Sequence, residues 1–296
     1  MVDIGIVGLD TSHAEAFADT LAGHPSTSLT AVWDGGAVRS ESYTEEYCDT
    51  HGANRYDEPL EMADRVDAVM ILTVDWDTHR ELAVPFLERG VPTVIDKPIA
   101  GNLADIRELE AAAGGTPFFG GSAVPYHSAV RSADLESDDR TLYCVGYDDP
   151  FYYGVHLVDT VCRIVDSPWA CVSPADDPGQ TVNVVFTDGT YATLRLDSPE
   201  DENQFSFLSI GNRTTAVDVG STPADMTDMY RAYIETVLDV VAGEIDPSER
   251  VFDAAALLLG VVAALEHDRP ITPECRVLSE YAVDGAAFLE EYRPYY

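Results

Sequence analysis

The chain has 296 residues, 46% of them hydrophobic, with 53 acidic side chains against 17 basic ones and a formal charge of −36. That field repels nucleic-acid phosphates and anionic membranes, and no run of 18 apolar residues is present to span a bilayer. The expected partner is a small molecule, with no nucleic acid and no membrane.

The opening stretch MVDIGIVGLD carries no basic leader or cleavage site, so a cytoplasmic protein is expected. Five cysteines without zinc-like spacing agree with reduced thiols and no metal site. Self-repulsion among so many acids becomes tolerable near molar ionic strength, where the screening length is about 3 Å. Sixteen of the cations are arginines and Lys97 is the only lysine. Scarce lysine beside abundant Asp and Glu reads as adaptation to a salt-rich cytoplasm.

DIGIVGL, at the start of the chain, is a short apolar run ending in glycine, as in a buried parallel strand. A helix follows in DTSHAEAFADTLAGH. Ser12 and Glu15 stand at capping-box spacing, and Gly23 and Pro25 end the segment. SLTAVWD is a second strand and DAVMILTV the best candidate for a central one. DTHRELAVPFLERG reads as a helix that Pro85 kinks or breaks. The strand PTVID, the helix NLADIRELEAAAGG and the strand TPFFGG complete the pattern. Such alternation implies βαβ units and a doubly wound parallel sheet.

The texture changes near Gly120 and Gly121. RTLYCVGYDD, TVNVVFTDG, TYATLRLDS, QFSFLSIGN and RTTAVDVG read as strands, with hairpin-like turns at TDG and IGNR. Helices are expected at YYGVHLVDTVCRIVD, MTDMYRAYIETVLDVVAG and VFDAAALLLGVVAALEHD. The expected organisation is an α/β domain over 1–120 and an α+β domain over 121–296, the latter with an open, mainly antiparallel sheet.

GIVGLDTSH sits where a dinucleotide-binding glycine fingerprint belongs. Gly8 takes the first glycine position, Asp10 the second and His13 the third. Asp10 would face a pyrophosphate as anion against anion. Two readings are open: Asp10 and Ser12 occupy the helix-start donors as caps, or Thr11, Ser12 and His13 supply replacement donors to a phosphate. Asp34, 26 residues after Gly8, fits a ribose 2′-OH acceptor and favours NAD over NADP, unless it is only a turn residue.

Gly8, Thr73 and Lys97 each follow a strand, so all three point into the crevice where strand order reverses. A lysine there can lose solvation and exchange a proton near neutral pH, which arginine cannot.

IDKPIA, with Asp96 and Lys97, resembles the Glu-Lys-Pro motif of the Gfo/Idh/MocA oxidoreductases. TVDWDTH resembles that family's Thr-Pro-Asn loop and histidine, YYGVHLVDTVCRIV its Gly-x-His helix, and RVFDAAALLLGVVAALEHDRPI its closing helix. The resemblance implies a Rossmann domain, a substrate domain whose open sheet forms oligomer contacts, and NAD(P)-dependent chemistry on a sugar, polyol or cyclitol hydroxyl. It makes Lys97 and His156 catalytic, and puts Tyr152 where the family often has an aspartate. A phenol brings no carboxylate charge, so Asp159 either substitutes or pairs with Arg163 on the surface. His79 either orients the nicotinamide side or caps its helix. His156 is catalytic or a satisfied core residue. Tyr126 and His127 line the cleft or pack as linker. A non-catalytic metabolite-binding protein and a cofactor-retaining lyase or glycosidase are the competing expectations.

Overall fold

The computed structural model describes residues 1–133, 135, 140–198 and 205–294. Six parallel strands form the first sheet: β1 (Val2–Val7), β2 (Thr27–Trp33), β3 (Asn54–Arg55), β4 (Ala68–Ile71), β5 (Thr93–Ile95) and β6 (Phe118–Gly120). Their order is β3–β2–β1–β4–β5–β6, so the winding reverses between β1 and β4. Every side chain of β4 is buried, as a central parallel strand requires.

The helices α1 (Ser12–Gly23), α2 (Glu41–His51), α3 (His79–Leu87) and α4 (Leu103–Ala112) connect the strands. The cap of α1 differs from the expected box. Thr11 is the N-cap, its Oγ1 accepting from the His13 N–H, while Glu15 is drawn away to the Tyr43 hydroxyl. Helix α2 is missing from the sequence reading. Its ESYTEEYCDTH has few apolar residues, and it holds through a Ser40 cap, a left-handed Gly52 and the burial of Thr44, Tyr47 and Cys48. Helix α3 continues through Pro85 to Leu87; the proline removes one backbone bond close to the helix end.

The second sheet holds β7 (Thr141–Tyr147), β8 (Trp169–Pro174), β9 (Thr181–Phe186), β10 (Tyr191–Ser198), β11 (Phe205–Ile210) and β12 (Thr214–Val219). Its order is β12–β11–β7–β10–β9–β8, antiparallel throughout except for the β7–β10 pair. Strand β8 was not anticipated. Gln204, expected to open the β11 strand, lies outside the described residues. Helices α5 (Ser128–Ser132), α6 (Gly154–Val165), α7 (Pro223–Val241), α8 (Ser248–His267), α9 (Arg276–Glu280) and α10 (Gly285–Glu291) complete the chain. Among the described residues, no helix is long and apolar enough to cross a membrane.

Helix α6 lays Leu157, Val158 and Val161 into the core beneath the buried face of this sheet. Helices α7 and α8 pack back against the first layer. Tyr233 stacks on Phe17 at 5.4 Å and Phe252 on Phe118 at 4.5 Å. The final segment crosses over as well: Trp76 Nε1 donates to the Val283 carbonyl and the Gly285 N–H to Asp77 Oδ2. The two halves are thus joined by buried contacts on both sides of the cleft between them.

Candidate active site

Gly8 ends β1 with φ +88°. A Cβ there would stand 2.6 Å from Thr73 Cγ2 and 3.0 Å from the Thr73 nitrogen, so only glycine lets the loops after β1 and β4 approach this closely. Asp10 does not face the loop surface. Its side chain is buried and Oδ2 accepts from the Val74 N–H at 2.9 Å, which ties the two loops together. Burial pushes its carboxyl up to about 6, with the Val74 N–H opposing. The expected clash of anion against anion therefore does not arise, and neither Asp10 nor Ser12 caps α1. Thr11, Ser12 and His13 line the cleft at the amino end of α1, where a helix start carries uncommitted N–H donors.

Asp34 organises the glycine loop from the end of β2. Oδ1 accepts from the Leu9 N–H, and Oδ2 from the Gly36 N–H and the Thr44 hydroxyl. A carboxylate has about four acceptor positions, so one remains for a ribose hydroxyl. The loop, the helix start and Asp34 together fit a dinucleotide.

Thr73 and His79 stand behind the crevice. His79 is fully buried, with Nε2 2.9 Å from the Thr73 carbonyl and Nδ1 3.1 Å from that of Ile99. It neither caps a helix nor reaches the cleft; it stitches the loop after β4 to the one that carries Lys97.

Asp96 and Lys97 follow β5. The Asp96 carboxylate is buried and accepts from the Lys97 N–H at 2.8 Å. The His13 ring nitrogen Nδ1 lies 2.7 and 2.9 Å from its two oxygens. Burial alone would raise this carboxyl; the His13 ring and the Lys97 ammonium outweigh it and hold the group below the usual carboxylate range. Asp96 is ionised, so His13 Nδ1 carries the proton between them.

The Lys97 ammonium is 3.2 Å from the centroid of the Tyr152 ring and 5.3 Å from that of Tyr153, and donates to the Tyr152 carbonyl at 3.3 Å. Only 7% of the residue is exposed. Burial pulls its pKa down to about 8, against the opposing pull of Asp96, Asp149 and Asp148. Tyr152 precedes α6 instead of sharing a helical face with His156, because Asp149 turns the chain there by accepting from the Phe151 and Tyr152 N–H groups. The phenol thus serves as a cation–π platform for the lysine.

His156 Nδ1 lies 2.6 Å from Ser122 Oγ, which accepts from the Val124 N–H. Its pKa falls well below 6.5 through burial first, then the positive fields of Lys97 and His13. Asp159 takes neither expected role in its simple form. It is turned inward and accepts from the Ser122 N–H, so it acts on His156 only through Ser122. Arg163 lies over the Tyr126 ring instead of pairing with Asp159. Burial raises the Asp159 carboxyl to about 6, opposed by the Ser122 N–H and Arg250. Tyr126 and His127 are buried; Tyr126 packs on Phe119 and Tyr233, and neither lines the cleft.

Lys97, His156 and His13 share one cavity of about 480 Å³, with walls from both halves of the chain. Sequence reasoning missed Ser122, Asp149 and the carboxy-terminal Phe288, which packs on Tyr152 at 4.5 Å. Ser122 was within reach, since it follows β6 as Lys97 follows β5. Phe288 was not, because nothing local marks a residue nearly 140 positions away as a neighbour. Among the described residues, no cluster of His, Cys, Asp or Glu is placed to hold a metal ion.

The sequence model of an oxidoreductase family with an NAD-binding Rossmann fold, Gfo/Idh/MocA, matches residues 2–116. Comparison with curated protein sequences gives no match. Among solved structures, the chain is similar to the apo scyllo-inositol dehydrogenase of Lactobacillus casei, at 13% identity and TM-score 0.75, covering 93% of this chain and 99% of that one. A myo-inositol dehydrogenase from Corynebacterium glutamicum is 14% identical at TM-score 0.73, covering 92% and 98%. An oxidoreductase from Agrobacterium radiobacter, solved with NAD+, L-tartaric acid and magnesium, is 13% identical at TM-score 0.73, with the same coverage. At these identities the likeness establishes a shared fold. Residues 2–116 are thus similar to the NAD-binding domain of the Gfo/Idh/MocA oxidoreductases, and the Rossmann fold that this family model describes is the one the motifs led us to expect.

Proposed function

We propose that the protein is an NAD(P)-dependent oxidoreductase that transfers hydride between nicotinamide and a hydroxyl or carbonyl of a sugar, polyol or cyclitol. One observation carries the reading. The only lysine of the chain is dehydrated in a cavity that both halves build, beside two imidazoles. An ammonium so placed polarises a substrate oxygen as charge develops on it, and a pre-set electrostatic contact of this kind commonly supplies much of catalysis. His156 meets the same oxygen from α6. Gly8, Thr11, Ser12, His13 and Asp34 would hold the dinucleotide, which supplies the hydride acceptor or donor when bound. Asp34 favours NAD over NADP, since a carboxylate accepts from a 2′-hydroxyl and repels a 2′-phosphate.

The walls suit a neutral polyhydroxy ring. Tyr152, Tyr153, Phe205 and Phe288 offer apolar faces, and Asp148, Asp149 and Glu291 offer acceptors. A phosphorylated sugar would call for several arginines; among the described lining residues there is one, Arg293, whose Nη1 donates to the Glu290 and Tyr292 carbonyls.

Titration with NADH in molar KCl tests the reading in the ionic conditions expected of a salt-rich cytoplasm. Enhanced nicotinamide fluorescence, followed by turnover on a polyol panel, is the expected result. A protein that binds neither NADH nor NADPH is a metabolite-binding protein on the same fold.

We also propose a homo-oligomer assembled through the open face of the second sheet. Tyr143, Val145, Val185, Tyr191 and Ile210 are exposed there, and cross-strand register puts Tyr143 beside Leu208 and Thr193. Exposed apolar surface of this kind on a sheet marks an interaction site. Light scattering in molar KCl should give a multiple of the 32.2 kDa chain mass, reduced by Tyr143→Asp. A monomeric wild type removes the proposal.

A further inference from the structure

We infer that His13, oriented by Asp96, is the group that takes the proton of the substrate hydroxyl, and that His156 stands beside it as a neutral hydrogen-bond donor. The assignment rests on the oxidoreductase reading above and concerns which imidazole does the proton work.

A base that becomes cationic during the reaction needs a compensating charge close by. His13 has one: its Nδ1 is 2.7 Å from a buried Asp96 oxygen, and Thr11 Oγ1 and the Lys97 N–H fix that carboxylate from other sides. His156 has none in contact. Its Nδ1 faces the neutral Ser122 hydroxyl, and Lys97 adds positive field, as does His13 once it is protonated. The position that would bring a carboxylate four residues before His156 holds Tyr152, whose ring is occupied by the Lys97 ammonium. The orienting carboxylate has in effect moved from one imidazole to the other.

Hydrogen-bond geometry sets the His13 tautomer. The Asp96 carboxylate is an acceptor, so His13 carries its proton on Nδ1 and keeps a lone pair on Nε2. Nε2 makes no hydrogen bond to a described residue, and His13 lines the cavity. Ser122 Oγ accepts from the Val124 N–H and lies 2.6 Å from His156 Nδ1; in this proposal the hydroxyl proton goes to that nitrogen, which keeps this imidazole neutral beside the Lys97 ammonium. His156 then presents Nε2–H. Its ring is held against Phe205 at 5.1 Å, while the His13 ring rests on Phe17 at 5.2 Å and Tyr230 at 5.7 Å. The groups facing His13 are therefore Asp96 and Lys97 from the β5 loop, His156 from α6 and Tyr230 from α7.

In the oxidation direction the substrate O–H bond breaks and a His13 Nε2–H bond forms. The carbinol C–H electron pair leaves with its hydrogen as hydride, accepted by the nicotinamide, and the carbinol becomes a carbonyl. Asp96 balances the imidazolium, and Lys97 holds the oxygen throughout.

Nitrogen-15 NMR of histidine-labelled protein, assigned with His13→Gln and His156→Gln, reads both tautomers without cofactor or turnover. The expected spectrum has a protonated Nδ1 on His13 and a protonated Nε2 on His156; the opposite pattern at either ring overturns the assignment. Kinetically, His13→Gln should lower kcat by about 10²-fold or more, the usual worth of a general base. Asp96→Asn should shift the acid limb of the pH–rate profile to lower pH, because the imidazolium loses its counter-charge. A wild type that binds and turns over cofactor, paired with a fully active His13→Gln, defeats the dyad alone. A wild type that binds no nicotinamide defeats the oxidoreductase reading itself.

Discussion

Replacing Lys97 with methionine is expected to make the protein more stable and nearly inactive. The folded state pulls this ammonium from 10.5 down to about 8, chiefly by burial. The native state therefore binds its proton more weakly than the unfolded chain does. Stability is highest above 10.5, falls as pH drops towards 8, and carries the full cost at pH 7. That cost is about 3 kcal/mol. Methionine removes it at similar volume and gives up one hydrogen bond to the Tyr152 carbonyl, worth about 1 kcal/mol. A gain of about 2 kcal/mol by denaturant unfolding should accompany a loss of about 10²- to 10³-fold in kcat. Lys97→Arg should lose activity to a similar degree, since a guanidinium stays charged and does not fit the compact contact with Tyr152. A lysine serving only structure would lose stability in both variants. Because the chain has one lysine, carbon-13 labelling of that residue type gives a single side-chain signal, and its titration midpoint should lie near 8. A midpoint at the usual value for a free lysine would mean that the amine is hydrated, and the reading of the site would fail.

Gly121→Ala is expected to lower stability and activity together. Gly121 has φ +88°, and a Cβ there would overlap Asp159 Oδ2, which is buried and bound to the Ser122 N–H. The substitution meets backbone strain and a displaced buried carboxylate together, for about 3 kcal/mol. Ser122 would shift with the carboxylate, taking His156 Nδ1 with it, so activity should fall alongside Tm. Asp159→Asn separates the charge from the geometry. The native carboxyl is raised from 3.8 to about 6, so the folded state binds this proton more tightly than the unfolded chain. Its contribution is fully present below 3.8 and is lost as pH rises through about 6. The asparagine variant should match wild type near pH 3.5 and exceed it at pH 7 by up to about 3 kcal/mol. Identical Tm–pH curves for the two proteins would show that Asp159 is hydrated and not buried against Ser122.

Much of the architecture was legible because it is written in local pattern. The uninterrupted apolar run at β4, the alternation of strands with helices before Gly120, and the TDG turn between β9 and β10 each follow from burial or turn chemistry that neighbouring residues determine. Helix α2 escaped because its stability lies in caps and three buried side chains instead of an apolar stripe. Strand β8 escaped because WACVSP has no alternation of its own and is held by pairing with β9.

The site divides along the same line. Position after a strand marked Gly8, Thr73 and Lys97 without any structure, because parallel strands send their carboxyl ends to one edge. Composition marked Lys97 again, as the one ammonium left among arginines. The partners of those residues were hidden, since a side chain's orientation depends on what the fold brings against it. Asp10 was open between a helix cap and an anion at a phosphate and is a brace to Val74; His79 was open between a cofactor contact and a helix cap and is a stitch between two carbonyls. Asp159 reaches His156 only through Ser122, 37 positions away. Phe288 supports Tyr152 from the far end of the chain.

The sequence by itself therefore determined the two sheets, the crevice and the lysine in it, because periodicity, strand ends and residue chemistry are properties of short stretches. Only the tertiary structure decided which imidazole has a carboxylate and which has a hydroxyl, because that choice depends on distances of a few ångströms between residues 83 and 34 positions apart.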